Sequence, residues 1–162
     1  SVKQIERERS ALVQLDQAYE RVARVDVDGG KIKVLMCVGD MCALNVDAYV
    51  NPVNVQMQAG DGLARALMNK AGKEVENACK VYAQTNRFTE GSVFVSEAGG
   101  LGAKGSGSSR AYILNAAGPR WQGGSNNEAA SLRQAIEGSL REASTRGCTT
   151  IAIPPVSTGI FQ

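Results

Sequence analysis

The sequence predicts an α/β sandwich with a mostly parallel central sheet. Two observations carry that prediction. Short runs of β-forming residues alternate with stretches of helical periodicity, the pattern from which helix-flanked parallel sheets are built. Asp40, Asn51, Asn54, Gly118 and Ser157 each fall just after a predicted strand, where open α/β sheets keep their binding crevices.

Taken in order, Val2 to Val22 reads as one amphipathic helix, with Ile5, Leu12, Leu15, Tyr19 and Val22 on one stripe. Glu8 on the seam and the short repeat argue against a coiled-coil dimer. Residues 1–27 are read as an N-terminal helix or linker and 28–162 as the domain. Asp28-Gly29-Gly30 is a turn signal, and Lys31 to Val38 a strand. Leu44 to Val53 supplies the next strand, with Asn51 and Asn54 bracketing its end around Pro52. Gly60-Asp61-Gly62 opens a helix carrying Leu63, Ala66, Leu67 and Ala71, and Ala71-Gly72 punctuates it. Glu74 to Tyr82 continues as a second helix, with Val75, Ala78, Cys79 and Tyr82 on one face.

Gly91 to Val95 is a short strand. Gly99 to Ser109 is rich in glycine and serine and predicts a mobile loop; its Gly100, Gly102 and Gly105 spell GxGxxG, but no helix follows, so the dinucleotide fingerprint is rejected. Ala111 to Asn115 is a strand. Ser125 to Arg146 is a long helix ended by Gly147, with Ala130, Leu132, Ala135, Ile136, Leu140 and Ala143 as its buried stripe. Thr149 to Ile153 is a buried strand stopped by Pro154-Pro155.

Composition narrows the function classes. A chain of 162 residues with 43% hydrophobic and 21% charged residues suits one domain with a sizeable core. A net charge of +2 and 5% aromatic residues give no argument for a nucleic-acid partner. No apolar run of about eighteen residues predicts a membrane span. There is no histidine, and the four cysteines form no Cys-x-x-Cys pair. No metal site is therefore expected, and no histidine acid or base is available. Isolated cysteines read as reduced thiols of a cytoplasmic or nuclear protein.

The stretch from Asp47 to Ala66 organises the chemistry. A strand, a glycine loop and a helix N-terminus together present backbone N–H groups and the positive end of a helix dipole, which is an anion site. VNPVN followed by GDGLARAL resembles the "VNAAN…GGGVAxAI" signature of macrodomains, which bind ADP-ribose. Val38-Gly39-Asp40-Met41 resembles the family's "GDI", Asn115 to Trp121 its "HxVGPxW", and Ile151 to Phe161 its "IAIPAIxxGxFG". The resemblance runs from about Ile32 to Gln162 and is greatest to the tandem macrodomains of large vertebrate ADP-ribosyltransferases. It implies a three-layer α/β/α sandwich, neighbouring domains in a larger chain, and a C-terminal part of the family fold lying beyond this sequence.

The resemblance also assigns roles. Asp40, beside Met41, would hold the adenine amine. Gly60, Asp61, Gly62 and Leu63 would form the first diphosphate loop, with Asp61 departing from the family's glycine. Ser157, Thr158, Gly159, Ile160 and Phe161 would form the second loop, with Phe161 beside the distal ribose. Asn54 would contact that ribose; Asn51 would support the loop backbone, although it too counts among the ligand-binding candidates. Gly118, Pro119 and Trp121 match "GPxW", with Trp121 equally suited to a core anchor. The expected function is binding of ADP-ribose, free or on modified proteins, with no cofactor. The alternative is a hydrolase releasing ADP-ribose from acidic side chains, with Asn54 and Phe161 catalytic. Ala64 stands where one hydrolase class keeps an aspartate, which favours the reader.

Overall fold

The computed structural model describes residues 20–103 and 111–158. The greater part of the helix expected from Val2 to Val22, Gly105 of the glycine loop, and Gly159 to Phe161 of the second predicted ligand loop lie outside the described residues. The chain forms two compact units, Ser1–Leu44 and Asn45–Gln162.

In the first unit β1 (Glu20–Val27) and β2 (Ile32–Val38) form an antiparallel hairpin, with Val25 opposite Val34 and Val27 opposite Ile32. Residues 20–22 are therefore strand, where helical spacing predicts the end of a helix, and the hairpin crosses the expected boundary at residue 27. The period-2 alternation of Ala23, Val25 and Val27 is the signal that the helical stripe masks. The turn needs positive φ at three successive residues, Asp28 (52°), Gly29 (64°) and Gly30 (86°). Asp and Gly tolerate that region best.

In the second unit β3 (Ala48–Val53), β4 (Val93–Glu97), β5 (Tyr112–Ala117) and β6 (Ile151–Ala152) form one sheet of order β4-β5-β3-β6. β3 runs parallel to both β5 and β6, and β4 is antiparallel to β5. Helices α1 (Leu63–Ala71), α2 (Lys73–Thr85) and α3 (Glu128–Thr145) complete it. Alternate strand residues serve opposite faces. Ala48, Val50, Leu114 and Ala116 pack with Ala135 and Ala143 of α3, while Val53, Ala117 and Phe94 pack with Cys79 and Tyr82 of α2. Helices on both faces of the sheet give the expected three layers.

Several elements differ from the sequence reading. β3 begins at Ala48, after Asp47, which is held at the strand entry. There the Asp47 carboxylate accepts N–H bonds from Thr149 (2.8 Å) and Thr150 (3.0 Å), and Asp47 N donates to Thr150 Oγ1 (2.9 Å). The expected mobile loop holds a 3-10 turn, Gly99–Ala103, whose glycines approach the carbonyls of Lys70 and Ala71 where no Cβ would fit. α3 starts at Glu128, since Asn127 adopts a left-handed backbone (φ 60°) that ends the preceding loop. Its buried stripe is Ala135, Ser139 and Ala143, with Leu132 and Ile136 half-buried; Ala130 and Leu140 face outward. The seam needs small residues because α3 lies close on the sheet, and Ser139 satisfies its hydroxyl on Ala135 O at 2.8 Å.

Asn51 lies inside β3, fully buried, where the sequence places it at the strand's end. Its Nδ2 donates to Asn115 Oδ1 (2.9 Å) on β5, and Asn115 Nδ2 donates to Phe94 O and Ser96 Oγ (both 3.3 Å) on β4. Two amides thus run across three strands in the core. Cys79 of α2 sits by this ladder; burial pushes its thiol pKa up, chiefly, and the nearby Glu76 charge adds to that, against the hydrogen bonds of Ser96 and Asn115. Asn115→Ala should cost about 1–3 kcal/mol in urea unfolding, since it leaves Asn51 Nδ2 buried without a partner. The double variant Asn51→Leu with Asn115→Leu should cost less than the sum of the two single changes.

Candidate functional site

The three parallel strands end on one edge, and the residues that follow them meet there. After β3 the chain turns at Asn54. Asn54 Oδ1 accepts N–H bonds from Gln56 and Gln58 (both 3.0 Å), Asn54 O accepts from Met57 N (2.9 Å), and Asn54 Nδ2 donates to Gln58 Oε1 (3.3 Å). Two backbone donors on one oxygen fix the amide's orientation. They also fill its acceptor capacity, so only the remaining Nδ2 hydrogen is free for a ligand. The turn buries Met57 at φ 50° beneath it.

From this turn the chain runs to the N-terminus of α1. Gly60, Asp61 and Gly62 are exposed and Leu63 is half-buried. Gly62 caps the helix with φ 69° and ψ −135°, a backbone that favours glycine, and no side chain caps the first turn. The first intrahelical bond is Ala66 N to Gly62 O at 3.0 Å. The N–H groups of Leu63, Ala64 and Arg65 therefore have no carbonyl within the helix. Arg65 braces the loop from below, donating to Ala59 O and to Glu76 Oε1 (3.3 Å) on α2.

After β5 comes buried Gly118, and after β6 the segment through Ser157. The two touch: a Cβ on Gly118 would stand 2.4 Å from Ser157 Oγ and 2.8 Å from Val156 Cγ1. Ser157 holds φ 60°, and its buried hydroxyl has no hydrogen-bond partner among the described residues. Thr158 is exposed and donates to Pro155 O at 3.2 Å.

A cleft of about 300 Å³ opens at this edge, lined by Asn54, Val55, Gln56, Glu90, Gly118 and Arg120. Arg120 N donates to Glu90 Oε1 at 3.2 Å. Sequence reasoning passes over both charged residues. Glu90 lies in a short connection before β4 with no motif around it, and Arg120 fills the variable place of GPxW.

The structure thus brings together Asn54, Gly118 and Ser157 and joins them through one loop to Gly60–Leu63. Asn51 is in the sheet interior, fully buried, with its Oδ1 unpaired among the described residues. Asp40 and Met41 belong to the first unit. There Asp40 is exposed and its Oδ1 caps the 3-10 turn Met41–Ala43, accepting from Cys42 N at 2.9 Å. Trp121 is 56% exposed, which rules out a core anchor; its ring lies over Gly124. The loop that carries Trp121 is held by Glu128, which is 2% exposed. Glu128 accepts N–H bonds from Gln122 (2.9 Å), Gly124 (3.2 Å) and Asn126 (2.7 Å). Backbone N–H donors, its own first and those of Gln122, Asn126 and Gly124 with it, lower the Glu128 pKa against the opposing effect of burial. Among the described residues no group of three or more His, Cys, Asp or Glu could hold a metal ion.

Two outcomes follow from this geometry. Gly118→Ala should destabilise the fold by about 1–3 kcal/mol in chemical unfolding, and Ser157→Gly in the same chain should recover part of that loss. Because the folded Glu128 value is lowered, its stabilisation is complete above the unfolded value, about 4.3, and is lost as pH falls through the folded value. Glu128→Gln should therefore lower Tm at pH 7 and shrink the drop in Tm between pH 7 and pH 3, as read by thermal melts.

Known proteins share both sequence and architecture with this chain. Residues 50–162 match the Macro domain family. The O-acetyl-ADP-ribose deacetylase of Enterobacter sp. (strain 638) is 36% identical over 132 residues, covering 81% of this chain and 69% of that protein. The Oceanobacillus iheyensis macrodomain, solved with ADP, superposes with a TM-score of 0.76 at 20% identity over 88% of this chain and 72% of that one. The Trypanosoma brucei macrodomain in complex with ADP-ribose gives 0.60 at 25% identity over 76% and 47%. The match over residues 50–162, with the motifs lying at the strand ends where the fold puts its crevice, shows that the chain belongs to the macrodomain family.

Proposed function

We propose that the protein binds ADP-ribose, free or attached to proteins, at the carboxyl edge of β3, β5 and β6, without a metal or other cofactor. The observation that carries this reading is the uncapped N-terminus of α1 behind Gly60-Asp61-Gly62. Its free N–H groups and dipole suit a diphosphate, and the Asp61 side chain is exposed to water. Ser157, whose hydroxyl has no partner among the described residues, begins the segment Ser157–Phe161, which the resemblance sets against the phosphates. Asn54 would give its one free N–H to the distal ribose. Kinship with the tandem macrodomains of vertebrate ADP-ribosyltransferases rests on the sequence motifs; the deacetylase relative is bacterial. No described helix is long and apolar enough to cross a membrane.

A second reading, ester hydrolysis at the distal ribose, is favoured by the relatives named O-acetyl-ADP-ribose deacetylase. Its substrate would be an acyl-ADP-ribose or an ADP-ribosylated acidic side chain. Asn54 and Phe161 would position the ribose, Ala64 offers no carboxylate to hold water, and a chain without histidine would show no catalytic titration near pH 6.5.

One set of measurements separates the two. Calorimetric titration with ADP-ribose should show binding that EDTA leaves unchanged. Ligand at about one hundred times Kd should add roughly 2.7 kcal/mol of stability. Gly159→Glu, which sets bulk and negative charge against the diphosphate, should abolish the effect. Binding with no release of acetate from acetyl-ADP-ribose, and none of ADP-ribose from a modified transferase, identifies a reader. Turnover that Asn54→Ala suppresses establishes the hydrolase, and absence of any ADP-ribose binding overturns both.

A further inference from the structure

Glu90 stands on the wall of the Asn54 cleft with its backbone pinned. Gly91 N donates to Ala117 O at 2.8 Å, at the end of β5, and Ser92 N to Thr89 O at 2.9 Å, while Thr89 N donates to Ser92 Oγ at 3.1 Å. The residue is half-buried, and its Oε1 accepts from Arg120 N at 3.2 Å. Oε2 makes no hydrogen bond among the described residues. The Arg120 side chain, exposed on the same cleft, likewise has no described partner.

A sugar's hydroxyls are donors that require an acceptor. Asn54, which sequence motifs set against the distal ribose, has filled its oxygen with two backbone N–H bonds. The charged acceptor on this cleft is Glu90, and a charged acceptor binds a hydroxyl roughly twice as strongly as a neutral one. Carboxylates take ribose hydroxyls in this way at the strand ends of dinucleotide folds. At about 300 Å³ the cleft is at the small end of ligand sites, sized for a sugar and its substituent rather than for a whole dinucleotide.

We propose that Glu90, which lines the cleft together with Asn54, recognises the hydroxyls of the terminal ribose and so makes the site select nucleoside diphosphate-sugars over nucleoside diphosphates. This rests on the ADP-ribose reading. Glu90 acts as acceptor, Asn54 as donor, and Arg120 lies at the lip where a substituent of that ribose would leave the cleft.

The test is calorimetric titration of the intact protein, wild type and variants, with ADP-ribose and with ADP, which lacks the terminal ribose. Glu90→Gln keeps the shape and an acceptor for Arg120 N but loses the charge. It should weaken ADP-ribose by about fivefold, the difference between a charged and a neutral hydrogen bond, and leave ADP within about twofold. Glu90→Asp should weaken ADP-ribose less than Glu90→Gln does, and it carries the test if Glu90→Gln does not fold. Equal loss for both ligands would make Glu90 a structural cap of Arg120 and overturn the inference while leaving ADP-ribose binding intact. No change for either ligand would overturn it too. A wild type that binds neither ligand would remove the ADP-ribose reading and this inference with it.

Discussion

The second unit depends on one constraint, the burial of β3 between two parallel partners. β3 is hydrogen-bonded on one side to β5 and on the other to β6, and both faces are covered by helices. A parallel strand in that position cannot return by a tight turn. Each neighbour must arrive through a long crossover, so the carboxyl ends of all three strands fall on one edge. Asn54, Gly118 and Ser157 are there for that reason. The Asp47 carboxylate sets the register at the opposite end by tying the entry of β3 to residues 149 and 150, more than a hundred positions away.

The edge then trades side chains for backbone. Gly118 allows the ends of β5 and β6 to touch, and a single methyl there would overlap Ser157. Gly62 starts α1 with a conformation that leaves the first turn uncapped. A glycine cap costs roughly a few tenths of a kcal/mol against a good side-chain cap, and it leaves a set of amides that suit an anion. The buried amides Asn51 and Asn115 belong to the opposite economy. They cross-link strands inside the core through Asn51 Nδ2 and both ends of the Asn115 amide, while Asn51 Oδ1 is left without a partner among the described residues.

Much of the fold was legible because periodicity survives in short windows. The strand Lys31 to Val38, the run Ala48 to Val53, the break at Gly72 and the body of α3 all correspond to observed elements. The exceptions have physical causes. Residues 20–27 carry both a helical stripe and a period-2 pattern, and pairing with β2 selects the strand. Leu140 fits the apolar stripe of α3 by spacing, yet the close approach of helix and sheet at Ala135, Ser139 and Ala143 turns it outward. Trp121 has the size of a core residue but sits on a loop whose geometry is fixed by Glu128.

By itself the sequence determined the fold class, the family, and the segments that reach the strand ends, because these follow from local patterning and from short motifs in order. It also marked the glycine loop, since glycine spacing before a helix is a local signal. Only the tertiary structure decided which side chains are spent and which remain available. The Asn51 Nδ2 is taken by Asn115, 64 positions away, the Asn54 oxygen by its own turn, and Asp40 accepts from Cys42 N at its 3-10 turn. Glu90 meets Arg120 across thirty positions. Hydrogen-bond satisfaction is a property of packed neighbours, and strand pairing chooses those neighbours from parts of the chain that no local window compares.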